Sequence, residues 1–96
     1  MSPQNKTRLK NLRKQIDRLD DNLIKIFKKR TVVVKEVIRI KEYKNQIVDK
    51  KRINKILSDI KKKSLNNNID PKITNRIWKN IIWAYIDFEK KNFKKK

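Results

Sequence analysis

The sequence has no cysteine, no histidine and no glycine, and it has only two prolines. Without cysteine, a disulfide scaffold, a thiolate metal site and a cysteine nucleophile are all excluded. Without histidine, the chain lacks the usual general base and the commonest protein metal ligand. Most of the side chains that enzymes use for acid, base or nucleophilic catalysis are therefore missing.

Long apolar runs are also missing. No stretch approaches the roughly 18 apolar residues that a membrane-spanning helix needs. The first six residues, MSPQNK, contain no apolar run that could serve as a signal peptide. We therefore expect a soluble, cytoplasmic protein.

Positive charge is abundant, with 29 lysines and arginines against 10 acidic residues and a formal net charge of +19. Such a balance is typical of nucleic-acid-binding proteins. The charge is spread along the whole chain, however, and lysine, asparagine and isoleucine are enriched together, which indicates compositional drift as much as a selected patch. A basic helical dimer that binds nucleic acid is an alternative; it predicts salt-dependent DNA binding that survives Arg30→Ala.

Apolar residues recur at a spacing of three and four from Leu9 to Ile40, which is the pattern of one helix face. No proline or glycine interrupts residues 6–42, so we predict a single helix roughly 50 Å long. A compact globule of this length has a radius of gyration of about 12–13 Å. Because such a helix would extend beyond a monomeric body and expose its apolar face, we predict an intertwined homodimer.

Two shorter helices are predicted to follow. Asp49 is a good N-cap for the second helix, and Asp70-Pro71 is the N-cap and N1-proline signature of the third. Between them, the three asparagines at 66–68 can adopt the turn conformations usually left to glycine. The sequence thus predicts an all-α, three-helix protomer, a single domain over residues 1–96 with an ordered core at 7–93 and a frayed, solvated end at 90–96.

Two cations, Arg30 and Lys41, fall on the apolar stripe of the first helix. They lie about 16 Å apart along a helix axis, so their long side chains could converge on one ligand. One explanation is a buried pocket for an anionic small molecule. The other is a structural ion pair between Arg30 and Asp17, Asp20 or Asp21 of a partner helix.

Three further charged residues have two interpretations each. Arg13 lies about 25 Å before Arg30 along the helix, so it could join the same site only from another chain. Arg52 could close the pocket, because arginine binds carboxylates bidentately; alone, both arginines are typical surface charges. Glu89, one turn beyond Ile86, either serves the pocket or forms a salt bridge with a lysine.

Residues of all three predicted helices resemble, in order and spacing, the all-helical (type II) chorismate mutases. The resembling residues are Leu12-Arg13, Asp17, Asp20, Leu23-Ile24, Lys29-Arg30, Lys41, Val48-Asp49, Arg52, Ile69-Asp70 and Ile73. The resemblance runs from Leu9 to Phe93. It implies an interlocked dimer of three-helix protomers with two sites, each built from both chains. Such enzymes convert chorismate to prephenate by a Claisen rearrangement, so it also implies no cofactor and no metal.

The resemblance assigns roles by position. Arg13 of the neighbouring protomer and Arg30 would bind the substrate carboxylates, and Lys41 would donate to the ether oxygen and a carboxylate. Asp49 and Arg52 would border the pocket. Its apolar walls would be Val37, Ile56, Ile82 and Ile86.

Two residues depart from the common family pattern. Ile53 stands where many members have a glutamate, and Glu89 stands where many have a glutamine. Ile53 and the segment 81–86, in which Tyr85 would contact the substrate, are similar to the isochorismate-pyruvate lyases, which form salicylate and pyruvate on the same fold. That branch also usually has glutamine at the position of Glu89. An ionised Glu89 would repel the negative charge developing on the ether oxygen, so Glu89 would have to be protonated to donate a hydrogen bond.

Overall fold

A computed structural model of the chain describes residues 1–95. In this range the chain forms three α-helices and one short 3₁₀ turn, with no strand. The predicted all-α, three-helix fold is thus confirmed. The chain divides into two units, Met1–Val33 and Val34–Lys96, of which Lys96 is not among the described residues. None of the described helices is long and apolar enough to cross a membrane.

Helix α1 spans Pro3–Ile40 and begins earlier than predicted. Ser2 caps it: the Ser2 hydroxyl accepts a hydrogen bond from the Asn5 amide at 3.2 Å. Proline is well tolerated in the first turn, because its missing N–H has no helical partner there. The β-branched residues at 31–34 stay helical, as the surrounding apolar period predicts.

The first unit consists of α1 residues and the two residues before them, and its apolar stripe is exposed. The stripe residues are 49–62% exposed, and they are Leu12, Ile16, Leu19, Leu23 and Ile26. Within this unit no other helix covers them. The unit on its own therefore presents a continuous apolar surface.

Helices α2 (Lys50–Asn66) and α3 (Pro71–Asn92) pack against each other in the second unit. Both predicted caps are confirmed. The Asp49 carboxylate accepts from the Arg52 amide at 3.0 Å, and the Asp70 carboxylate accepts from the Lys72 amide at 2.9 Å. Each cap satisfies one of the amides that a helix start leaves without a helical partner.

The turn between α2 and α3 uses asparagine in place of glycine, as predicted. Asn68 has a φ of 57°, which is the left-handed region. The Asn68 amide donates to the Leu65 carbonyl at 3.3 Å, and the Ile69 amide donates to the Ser64 carbonyl at 2.9 Å. These are the two bonds of a Schellman motif, which ends a helix and reverses the chain.

Three isoleucines form the buried core of the second unit. Ile47 precedes α2, while Ile82 and Ile86 lie on α3, and each is at most 5% exposed. The partly buried side chains of Val48, Ile53, Ile56, Leu57 and Phe93 pack around them. A second apolar stripe of α3, which includes Ile73 and Ile77, is left more open: these residues are 56% and 46% exposed.

The predicted frayed end at 90–96 needs correction for the described residues. Helix α3 continues to Asn92, and the half-buried Phe93 packs against the isoleucine core. Lys95 donates to backbone carbonyls at the end of α1. Residues 90–92 are therefore helical, while 90–92, 94 and 95 are exposed to solvent, as predicted; Lys96 lies outside the described residues.

A buried pair of hydroxyls links α2 to α3. Ser64 Oγ lies 2.6 Å from Thr74 Oγ1, and the two residues are 3% and 7% exposed. Each hydroxyl also has a backbone acceptor: Ser64 donates to the Ile60 carbonyl at 2.6 Å, and Thr74 donates to the Pro71 carbonyl at 3.3 Å, so either one can be the donor to the other. The α2–α3 pairing therefore includes a polar contact shielded from water, where an unmade hydrogen bond is costly.

We expect Ser64→Ala and Thr74→Val each to lower the free energy of unfolding by about 1–2 kcal/mol, because each leaves a buried hydroxyl with one partner fewer. Urea unfolding of both single variants and the double variant measures this. The double variant should lose less unfolding free energy than the two single variants lose in sum, since both changes remove the same hydrogen bond. Thr7→Val, which removes an exposed hydroxyl on α1, is the control. Strict additivity of Ser64→Ala and Thr74→Val would contradict the assignment.

Candidate active site

The centre of the candidate site is an ion pair between Lys41 and Glu89. Lys41 Nζ lies 2.9 Å from Glu89 Oε1, and the side chains are 21% and 10% exposed. Lys41 directly follows α1, and Glu89 lies near the C-terminal end of α3. The salt bridge offered by the sequence as one interpretation of Glu89 is therefore present. Its partner is the lysine predicted to be catalytic.

The backbone around Lys41 is held from both sides. The Lys41 amide donates to the Val37 carbonyl at 3.1 Å, which continues the helical bonding of α1 by one residue. After it, the side-chain oxygen of Gln46 accepts from the amides of Glu42 and Tyr43 at 2.8 and 2.9 Å. The loop that follows Lys41 is thus tied to its own 3₁₀ turn, Lys44–Gln46.

An open depression of about 470 Å³ lies beside Lys41 at the start of α2. It is lined by Lys41, Asn45, Gln46, Val48, Asp49, Lys50 and Lys51. Three of these residues are lysines, and the N-terminal end of a helix adds partial positive charge. One carboxylate oxygen of Asp49 accepts the capping hydrogen bond at the start of α2. The side chain of Arg52 is exposed. Lysines therefore outnumber the single acidic residue of the lining, and the depression has a net positive charge.

The predicted apolar wall residues are found in and around the core of the second unit. Ile82 and Ile86 are buried in it, and Ile53 and Ile56 pack against it from α2. Tyr85 is half-buried, and its ring meets the Phe88 ring edge to face with centroids 6.3 Å apart. Val37, on the last turns of α1, is also half-buried.

Two predicted site residues belong to the first unit. Arg13 is exposed on α1, in a shallow surface groove that it shares with Lys10, Lys14 and Asp17. Arg30 is half-buried. The structure thus brings Lys41 and Glu89 together, and both Lys41 and Asp49 line one depression. Arg13 and Arg30 belong to the first unit, Met1–Val33.

The sequence reasoning missed three residues near Lys41. Ile47, between the first two helices, is a core residue, and its apolar side chain was the available signal. Gln46 fixes the loop through its amide oxygen. Lys95 donates to the carbonyls of Arg39 and Lys41, the second at 3.0 Å. It sits in a run of lysines, so nothing in its local sequence distinguishes it.

A comparison with protein families matches the model of chorismate mutase type II over residues 12–90. Because this match covers most of the chain, the chain belongs to the chorismate mutase type II family. The resemblance seen in the sequence is thus confirmed. Comparison with curated proteins gives no match, and comparison with solved structures gives none either.

We expect Lys41→Met to lower the free energy of unfolding by about 1–3 kcal/mol, because it leaves the Glu89 carboxylate buried without its cation. The matched control is Lys55→Met. It breaks the Lys55–Asp59 pair, whose side chains are 67% and 37% exposed. There the hydrogen bond from Lys55 lowers the pKa of Asp59, but water can replace the lost partner. Urea unfolding compares the two, and equal losses would show that burial of the first pair has no energetic consequence.

Proposed function

We propose that this chain is a chorismate mutase, which rearranges chorismate to prephenate in a pocket shared between two copies of the chain. The observation that supports this most directly is the shielded Lys41–Glu89 pair beside a positive depression. It lies inside the residues that match the chorismate mutase type II model.

The chemistry suits a chain without histidine or cysteine. In the rearrangement the ether C–O bond of chorismate breaks while a new C–C bond forms in the same molecule. No nucleophile is consumed and no proton is transferred. Catalysis then requires that the substrate be held in a compact reactive conformer and that positive charge face the ether oxygen.

In this proposal Lys41 supplies that charge. Its ammonium is only partly exposed and is held by Glu89, so it is oriented before substrate arrives and needs little rearrangement during the reaction. In the ion pair Glu89 is a carboxylate and only accepts; it has to take up a proton, which ends the ion pair, before it can donate a second hydrogen bond to the same oxygen. Asp49 and Arg52 border the site at the start of α2, and the side chains of Val37, Ile56, Ile82 and Ile86 enclose the substrate ring.

Arg30 and the Arg13 of a second copy complete the site by binding the two carboxylates. Arg13 and Arg30 of one chain are about 25 Å apart along α1, beyond the reach of one small molecule. The exposed apolar stripe of the first unit, with Leu19 at 62% exposure, supports a second copy as its cover. We therefore propose a homodimer with two identical sites.

The second candidate is an isochorismate-pyruvate lyase. The observation that favours it is Ile53, an apolar residue packed toward the core where many chorismate mutases carry a glutamate. Tyr85, half-buried on α3, belongs to the segment that is similar to that branch. Both reactions would use the same cations, and they differ in substrate and product.

We expect the purified protein to convert chorismate to prephenate, and Arg30→Ala to reduce turnover by about a hundredfold or more, since a carboxylate would lose its partner. Product analysis by chromatography after separate incubation with chorismate and with isochorismate measures this.

Arg18→Ala, which removes an exposed arginine of the same helix, is the matched control and should keep normal turnover. Salicylate from isochorismate, without prephenate from chorismate, would favour the lyase. No reaction with either compound, together with DNA binding that survives Arg30→Ala, would favour the nucleic-acid alternative.

We expect the wild-type chain to sediment as a dimer and Leu19→Glu to sediment as a monomer with strongly reduced turnover, because a carboxylate would be buried in the apolar seam. The matched control is Asn11→Glu, which adds the same charge to α1 about 100° around the helix from Leu12. Sedimentation equilibrium gives the mass. A monomeric wild type with full activity would exclude a shared site.

A further inference from the structure

We propose that Lys95 is a positioning residue for Lys41, holding it in place through the backbone at the end of α1. The proposal rests on the proposed chorismate mutase function for its catalytic consequence. The contact on which it is based lies entirely within the second unit of the chain.

The chain after α3 is directed toward this contact. Phe93 ends the helix in an extended conformation, with φ −75° and ψ 120°, and its ring packs against the Ile47, Ile82 and Ile86 core. Two residues later, the Lys95 ammonium donates to the carbonyl oxygens of Arg39 and Lys41, the second at 3.0 Å. The packed Phe93 ring therefore fixes the backbone two residues before Lys95, close enough for the Lys95 side chain to reach the end of α1.

The acceptors of Lys95 lie where a helix most needs a donor. The last carbonyls of an α-helix have no amide partner within the helix, and they carry the negative end of its dipole. A lysine from elsewhere in the chain donates hydrogen bonds to these carbonyls, and its positive charge interacts favourably with the negative end of the dipole. By bonding to residues 39 and 41 together, Lys95 spans the point where α1 stops and fixes the direction in which the chain leaves it.

Lys41 is consequently held at three points. Its amide is bonded to the Val37 carbonyl, its carbonyl to Lys95, and its ammonium to Glu89. When substrate binds, the Lys41 ammonium shares its hydrogen bonds between Glu89 and the ether oxygen. The two backbone contacts then remain to hold the Lys41 backbone, and Lys95 provides one of them.

Loss of this contact has a specific kinetic consequence. A small misplacement of a catalytic group slows the reaction step far more than it weakens substrate binding. We expect Lys95→Met to lower kcat by about tenfold with KM within about twofold of the wild-type value. Lys95→Arg should retain most of kcat, because a guanidinium can donate to the same two carbonyls. Lys94→Met, at the exposed neighbouring residue, is the matched control and should leave both constants unchanged.

A second measurement separates positioning from loss of stability and does not require turnover. Amide hydrogen exchange of the full-length protein should be about tenfold faster at Lys41 in Lys95→Met, with unchanged exchange at Ile82 and Ile86 in the core. Equal acceleration at Lys41 and the core would mean general destabilisation and would overturn the proposal. So would wild-type kinetics and wild-type exchange in Lys95→Met.

The two proposals fail in different ways. If the wild-type protein acts on neither chorismate nor isochorismate, the proposed function fails. The exchange rate of the Lys41 amide in Lys95→Met then still decides whether Lys95 holds that segment. If the wild type is active and Lys95→Met matches Lys94→Met in kinetics and in amide exchange, the proposed enzymatic function is supported and the proposed role of Lys95 is wrong.

Discussion

An ammonium and a carboxylate removed from water must satisfy each other, and this requirement governs the second unit of the chain. Desolvation costs several kcal/mol per ion, so a shielded pair often adds little net stability compared with apolar side chains of similar size. Glu89 nevertheless shares one face of α3 with the buried Ile82 and Ile86, and its partner Lys41 directly follows α1. In the proposed function, such a pair serves to recognise a charged ligand rather than to stabilise the fold.

The surrounding charges support the same interpretation. The depression beside Lys41 adds Lys50 and Lys51 at the positive end of α2, and the whole chain carries a net charge of +19. A positive field of this kind would raise the local concentration of the proposed dianionic substrate. A pericyclic rearrangement needs charge and confinement rather than a nucleophile, and this is the chemistry that a chain lacking both histidine and cysteine can still perform.

The chain buries few apolar side chains for its length. Among the described residues, only Ile38, Ile47, Ile82 and Ile86 are buried apolar residues. Large apolar side chains in both units, such as Leu19 on α1 and Ile73 on α3, remain about half exposed or more. Small domains need a sufficient core or a partner to be stable, so a second copy covering these surfaces would serve folding and catalysis together.

Local rules were enough to predict the helices from the sequence. The cap at Asp49, the Asp70-Pro71 start and the left-handed Asn68 each involve residues within a few positions of one another, and the structure has all three. Lys41 and Glu89 were each recognised as polar residues at apolar positions. Their pairing joins side chains 48 residues apart, and no local pattern encodes it. The same holds for Lys95 at the end of α1 and for the choice of which α3 stripe is buried, because these follow from how helices far apart in sequence pack together.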